Sequence, residues 1–371
     1  MTWFAVVLAV AAGVSFLLSF AVLKLAHKFH LVSAVRGRDV HKQPTPRLGG
    51  VAMYGGFLVA FIFAYFTPAL RGVIHEPRTI IGLLAAATIV CFVGVLDDLF
   101  DLDWMVKLGA QFLAAGVLVW QGVQFLSLPL GDTLLIGSPA VNMLITVFLI
   151  ALTMNAVNFI DGMDGLAAGF AIIAAASFFI YTRILAAQTG ESSAVNLASL
   201  IVAILAGVCL GFLPYNWHQA KMFMGDTGAL LIGLLLAAAT ITATGQLNPA
   251  ALSPKLVIAS YMPIILPILL MALPLADMTL AVIRRLRAGQ SPFTADRKHL
   301  HHRLLDMGHS PVQVVMIFYL GSAVLAATSL LVFTANSLLV PLLVFLFGSA
   351  LCLAVTLVPA RRARGLLSRK Q

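Results

Sequence analysis

The sequence predicts an all-α, polytopic integral membrane protein with about eleven transmembrane helices. Three observations carry that expectation. Of the 371 residues, 61% are hydrophobic and only 10% are charged, against roughly 25% charged in an ordinary globular domain. Mean hydropathy is +1.02, sustained along the whole length. Near-continuous apolar runs of about 20 residues, enough to cross a ~30 Å hydrocarbon core, recur with only short interruptions. Transmembrane β-strands would alternate over ten-residue segments instead.

Taken in order, the expected spans lie near residues 2–24, 50–68, 79–96, 106–121, 140–157, 165–187, 195–213, 228–245, 256–283, 312–333 and 338–358. The first run, Thr2 to Leu23, has no basic residue before it and is followed by Lys24 and Lys28. That order reads as a retained first span rather than a cleaved signal peptide. If the first loop faces the cytosol, all but Arg71, Arg78, Arg183 and Lys255 of the 23 Lys and Arg are cytosolic, which places the N-terminus outside and the basic C-terminus inside. The net charge of +9 is then a topology signal plus attraction to anionic headgroups of the lipid bilayer. Nucleic acid is not an expected partner. Cys91, Cys209 and Cys352 fall within spans without metal-ligand spacing, as small buried hydrophobes do. No fixed-period repeat, low-complexity tract or soluble domain interrupts the pattern. Residues 1–371 read as one membrane domain with cytosolic loops near 26–49, 97–106, 158–165, 214–227 and 284–311.

Acidic residues are placed unevenly. In this topology all but Glu76, Asp132 and Glu191 of the 14 lie at or just beneath the cytosolic face. The positive-inside rule says nothing about Asp, and a membrane-edge ionisable group costs several kcal/mol unless paired or hydrated. Asp97 and Asp98 end an apolar run at a helix C-terminus, where the macrodipole and their mutual repulsion both disfavour charge. They read either as a solvated helix end or as half of a cation site, with Lys107 as a local counter-ion. In "NAVNFIDGMDGLAAG", Asn155, Asn158, Asp161 and Asp164 recur every three residues, so on a helix running to Asp161 they present oxygens along one side. Turn and N-cap roles are the alternative, though one cap needs only one such residue. "FMGDTGALLIG" puts Asp226 and Thr227 in N-cap position at the start of the eighth span, with Phe223 as a packing residue or a platform for a planar ring. "DRKHLHHRL" packs Arg297, His299, His301, His302 and Arg303 together, a density of fork-shaped and switchable donors suited to phosphate oxygens. Zinc is the rival there, but the Cys or Glu that usually completes its ligand set is missing nearby.

Oxygen ligands suit Mg²⁺, or Mn²⁺, better than zinc or copper. A hard cation beside Arg, His and Lys points to a phosphorylated substrate, and no GxxxxGK[ST] stretch makes this a P-loop nucleotidase. An ion-coupled carrier is the rival class, yet carriers put such groups near the bilayer midplane.

The segments "TPRLGG", "DDLFDL", "NAVNFIDGMDGLAAG", "FMGDTGALLIG" and "SPFTADRKHLHHR", in this order over residues about 40 to 310, resemble the signature segments of the polyprenyl-phosphate N-acetylhexosamine-1-phosphate transferases. The last of them resembles the bacterial initiating GlcNAc-1-phosphate transferases of the WecA/TagO type. Leu300 interrupts the three consecutive His, and Asp101 replaces the Lys, that typify the sister peptidoglycan translocase. The resemblance implies transfer of GlcNAc-1-phosphate from UDP-GlcNAc to undecaprenyl or another polyprenyl phosphate, releasing UMP, at the cytosolic side of a bacterial inner membrane. This would be the first membrane step of an envelope polysaccharide pathway, such as lipopolysaccharide or teichoic acid synthesis. A sister enzyme using another UDP-N-acetylhexosamine would look much the same. It further implies Asp97 and Asp98 as catalytic carboxylates, Asn158 and Asp226 as magnesium ligands, and a substrate-binding set of Lys42, Lys107, Asp161, Asp164, Phe223, Arg297, His299, His301, His302 and Arg303. A homodimer is a further expectation. Asp277 also resembles a family position, without an assigned role.

Overall fold

A computed structural model describes residues 1–31, 45–74, 76–124, 128–130, 133–135, 138–189, 193–244, 268–269, 271–287, 289, 300–335 and 337–367. The helices are α1 (Thr2–Lys28), α2 (Gly49–Phe66), α3 (Pro77–Phe100), α4 (Trp104–Trp120), α5 (Pro139–Ile160), α6 (Leu166–Thr189), α7 (Ser193–Asn216), α8 (Gly225–Thr244), α9 (Ala272–Arg287), α10 (Leu300–Asp306), α11 (Pro311–Thr334) and α12 (Leu339–Leu367). Among the described residues, 9 helices are long and apolar enough to cross a membrane. α4 is apolar but shorter, at 17 residues. Every predicted span except the ninth coincides with one described helix. Of the ninth, residues 256–267 and 270 lie outside the described residues.

The all-α architecture holds with one addition. Leu128–Leu130 (β1) and Thr133–Leu135 (β2) pair antiparallel, Leu128 opposite Leu135. Three-residue strands are too short to display an alternating pattern, which is why the sequence reading passed over them.

Local chemistry sets the helix ends. Asp103 caps α4 by accepting from the Met105 N–H at 2.8 Å. Ser310 and Gln313 form a reciprocal capping box at α11. α3 runs past its predicted end at Leu96 to Phe100 and stops at Asp101 in the left-handed conformation (φ 55°, ψ 66°). Asp97 and Asp98 therefore lie in the last turn of a helix rather than in a loop.

α7 and α8 form the centre, almost wholly buried. α8 packs against α2, α3, α5 and α7, while α1 lies across α2 and α7. Hydrocarbon offers little drive for helix association, so close approach of backbones at small residues does the work. A Cβ on Gly50 would meet the Gly228 nitrogen at 2.2 Å, and one on Gly94 would meet the Thr227 Cα at 2.5 Å. These contacts draw the site-bearing ends of α2, α3 and α8 together. Buried hydroxyls add interhelical bonds, including Ser15 to the Val208 carbonyl at 2.9 Å and Ser199 to Thr182 at 2.8 Å. α12 packs chiefly on α11 and turns most of its apolar surface outward, as a lipid-facing helix would.

Candidate active site

Five helix ends meet at one end of the bundle: the C-termini of α3 and α5 and the N-termini of α2, α4 and α8. Lys107, in the first turns of α4, lies with Nζ 3.1 Å from Asp97 Oδ2 and 3.2 Å from Asp226 Oδ2. Asp97 also accepts the Leu102 N–H at 2.8 Å through Oδ1. The counter-ion expected near the Asp pair is thus in place, and it serves Asp226 as well.

Asp98 is held quite differently from its neighbour. Its carboxylate accepts the backbone N–H groups of Asp226 at 2.9 Å and Thr227 at 3.2 Å, and the Thr227 hydroxyl at 2.7 Å. The C-terminal turn of α3 meets the N-terminal turn of α8, so opposite dipole ends face each other and orphan N–H groups are satisfied by a carboxylate from another helix. This corrects the expectation that Asp226 and Thr227 cap α8 themselves. α8 begins at Gly225, and Asp98 supplies the cap. Gly225 (φ +68°) leaves room for it: a Cβ there would sit 2.3 Å from Asp98 Oδ2 and 2.4 Å from the Arg47 carbonyl.

Asn158, in the last turn of α5, hydrogen-bonds the Asp226 side chain. Asp161 follows directly, just beyond the helix. Withdrawal from water, then the negative charges of Asp226 and Asp98, push its carboxyl up to about 8, with Arg47 opposing them. Asp164 lies further along the loop, accepting the Ala220 N–H at 3.2 Å, with His218 Nδ1 at 3.8 Å. The four amides and carboxylates of the α5 motif do not all converge. α5 ends at Ile160, one residue short of the expected end, and Asn155 turns to Gln111 on α4 instead. A shallow cavity beside Asp164 is lined by Met163, Trp217, His218, Pro311, Val312 and Val315.

Two loops are sewn to the site by residues the sequence reading did not single out. Asn216, buried at the end of α7, accepts the Gly165 N–H at 3.0 Å and donates to the Met222 carbonyl at 3.1 Å. The Tyr319 hydroxyl of α11 donates to the Gly165 carbonyl. Phe223 is fixed through its backbone, donating to the Pro46 carbonyl and accepting from Gly49, both at 2.9 Å. An amide closing a long apolar run is the sequence signal that points to Asn216; nothing in the pattern marks Tyr319.

The donor set suits a hard divalent cation. Asp97, Asp98 and Asp226 each offer a carboxylate oxygen, all within 4.8 Å of one another. Octahedral Mg²⁺ with ~2.1 Å bonds needs opposite ligands about 4.2 Å apart. With Asp161 the cluster carries four carboxylates against Lys107 and Arg47, so a cation would relieve residual repulsion. Asp98 is committed to α8, which leaves Asp226, Asn158 and Asp97 as the residues to hold it.

Of the expected substrate-binding residues, His302 is half-buried and Arg303 exposed on α10, which packs on α11. Lys42, Arg297, His299 and the side chain of His301 lie outside the described residues.

The chain is 42% identical over 307 residues to a decaprenyl-phosphate N-acetylglucosaminephosphotransferase from Mycobacterium leprae, covering 81% of this chain and 77% of that one. The chain belongs to the polyprenyl-phosphate N-acetylhexosamine-1-phosphate transferase family. A Bacillus subtilis relative, a probable undecaprenyl-phosphate N-acetylglucosaminyl 1-phosphate transferase, is 32% identical over 88% of this chain and 84% of its own. An Escherichia coli relative, an undecaprenyl-phosphate alpha-N-acetylglucosaminyl 1-phosphate transferase, is 31% identical over 83% and 78% respectively. Residues 80–244 match the family model for glycosyl transferase family 4. In this transferase family member the matched segment runs from α3 through α8, and so contains every residue of the acidic cluster.

Proposed function

We propose that the protein transfers GlcNAc-1-phosphate from UDP-GlcNAc to a polyprenyl phosphate, giving polyprenyl-diphosphate-GlcNAc and UMP. The observation that carries this reading is the Lys107–Asp97–Asp226–Asn158 cluster at one end of a membrane bundle, in a chain of this family. Phosphoryl transfer asks for little beyond positioning and charge neutralisation, and the cluster offers both at the depth of a lipid headgroup.

An oxygen of the acceptor lipid's phosphate attacks the β-phosphorus of the nucleotide sugar as the bond to the bridging oxygen breaks, and UMP leaves with that oxygen. Asp97 takes the proton when the acceptor phosphate arrives singly protonated. Its Oδ2 lies at the Lys107 ammonium, which keeps it oriented and favours the carboxylate form once the proton passes to water. Asp98 holds no reacting group; it fixes the α8 N-terminus and with it Asp226. Asp226 and Asn158, with Asp97 in reach, would hold a Mg²⁺ ion, or Mn²⁺, which when bound would neutralise diphosphate charge. Asp161, Asp164 and Phe223 form the uridine side, and His302 and Arg303 of α10 serve the diphosphate.

By the positive-inside rule this end faces the cytosol at a bacterial inner membrane. Decaprenyl phosphate is the acceptor to try beside undecaprenyl phosphate, since the relatives named for it share 39–42% identity with this chain, against 31–32% for those named for undecaprenyl. A carrier would hold its ion-coupling groups near the midplane, whereas these gather at one end. The test is purified protein with Mg²⁺, UDP-GlcNAc and each polyprenyl phosphate, with UMP measured. Absence of UMP with every UDP-N-acetylhexosamine would end this reading.

A further inference from the structure

α9 is built inside-out. Its exposed residues include Leu280, Ile283 and Leu286, while Asp277, Ala281 and Arg285, spaced four apart along one face, are 7%, 0% and 5% exposed. A helix whose apolar side faces outward and whose charges face the bundle suits a lipid-bathed position, and ionisable residues so buried mark function by default. The inward face touches two parts of the site region. Arg285 lies over the ring of Phe159, 5.9 Å from its centroid, next to the cation ligand Asn158. Eight residues earlier, Asp277 Oδ1 accepts the Leu300 N–H at 2.8 Å.

Leu300 opens α10, the seven-residue helix that carries His301, His302 and Arg303. A helix this short has almost no stability of its own. Its place must come from tertiary contacts, and those include burial of Leu304, packing of Leu305 on the core and of the helix on α11, and the bond to Asp277. α9 thus joins, through one face, the end of α5 that carries Asn158 and the helix that carries the His/Arg set.

We infer that Asp277 is a positioning residue: it ties α10 to α9, sets His301, His302 and Arg303 relative to the acidic cluster, and thereby governs affinity for the nucleoside-diphosphate sugar but not for the lipid phosphate. The inference rests on the transferase reading for its kinetic part; the tether itself is testable without it. Removing the acceptor frees the α10 N-terminus, and a displacement of the anion-binding side chains by a fraction of an ångström to an ångström weakens substrate placement.

The experiment compares Asp277→Ala, Asp277→Asn and Leu300→Pro in the full-length protein in nanodiscs. Asp277→Asn keeps an acceptor oxygen. Leu300→Pro deletes the donor from the other side, at a first helical position where proline is tolerated. Backbone amide exchange over 300–304 should rise in Asp277→Ala and stay near wild type in Asp277→Asn. The KM for UDP-GlcNAc should rise on the order of tenfold in Asp277→Ala and Leu300→Pro, equivalent to about 1.4 kcal/mol. The KM for polyprenyl phosphate should hold, and Asp277→Asn should stay within about threefold of wild type. Unchanged amide exchange in Asp277→Ala, equal impairment of Asn and Ala, or parallel shifts in both KM values would each overturn the assignment. Should Asp277→Ala not fold, Leu300→Pro against Asp277→Asn decides the same question. A wild-type protein that releases no UMP sinks the transferase reading, while the exchange data still report on the tether.

Discussion

Adjacent carboxylates of identical chemistry make Asp97 and Asp98 a demanding test, because the geometry assigns them different work. Asp98→Ala removes the acceptor for three donors, the N–H groups of Asp226 and Thr227 and the hydroxyl of the fully buried Thr227. Interhelical hydrogen bonds within membranes are worth ~0.6 to 1.7 kcal/mol each, so three together amount to roughly 2–5 kcal/mol. Asp97→Ala removes one backbone bond, a side-chain contact to Asp226 and one contact to Lys107, whose side chain is 28% exposed and keeps Asp226 as a partner. A part-hydrated ion pair of this kind is worth about 1 kcal/mol or less. Unfolding of each variant in mixed micelles of dodecylmaltoside and SDS, followed by circular dichroism, should place Asp98→Ala well below Asp97→Ala, although both lose turnover. Asp98→Asn should fall between, since its carboxamide turns an NH₂ toward one of the three donors. Equal stability of the two alanine variants would refute the cross-helix cap, as would an Asp97→Ala protein less stable than Asp98→Ala.

Three further outcomes follow from the same geometry. Asp226→Asn should abolish UMP release and flatten its dependence on added Mg²⁺; near-normal turnover would remove Asp226 from the cation site. Gly225→Ala should cost about 2–4 kcal/mol in the same unfolding assay, from a left-handed backbone together with a methyl group driven against Asp98; a wild-type midpoint would contradict the cradle. Transfer from UDP-GlcNAc made chiral by isotopic labelling at the β-phosphorus should proceed with inversion of configuration, and retention would require a covalent phospho-aspartyl intermediate instead.

Chain composition determined what kind of molecule this is, because burying backbone in lipid leaves helices as the economical solution wherever apolar runs reach about 20 residues. Short-range spacing likewise marked Asp97, Asp98, Asn158, Asp161 and Asp226, since charge at the edge of an apolar run is costly whatever it packs against. Which charge meets which was decided in three dimensions. Lys107, paired with Asp97, reaches Asp226 across 119 residues of sequence, and Asp98 caps a helix 128 residues away. No local pattern encodes such partners, because they depend on how closely helices approach at Gly50, Gly94 and Gly228. For the same reason Asn155 looked equivalent to Asn158 along the chain yet turns to Gln111, and Asp277 had no evident work until α9 and α10 were seen joined at Leu300. Periodicity states which side of a helix a residue occupies; only packing states what stands opposite.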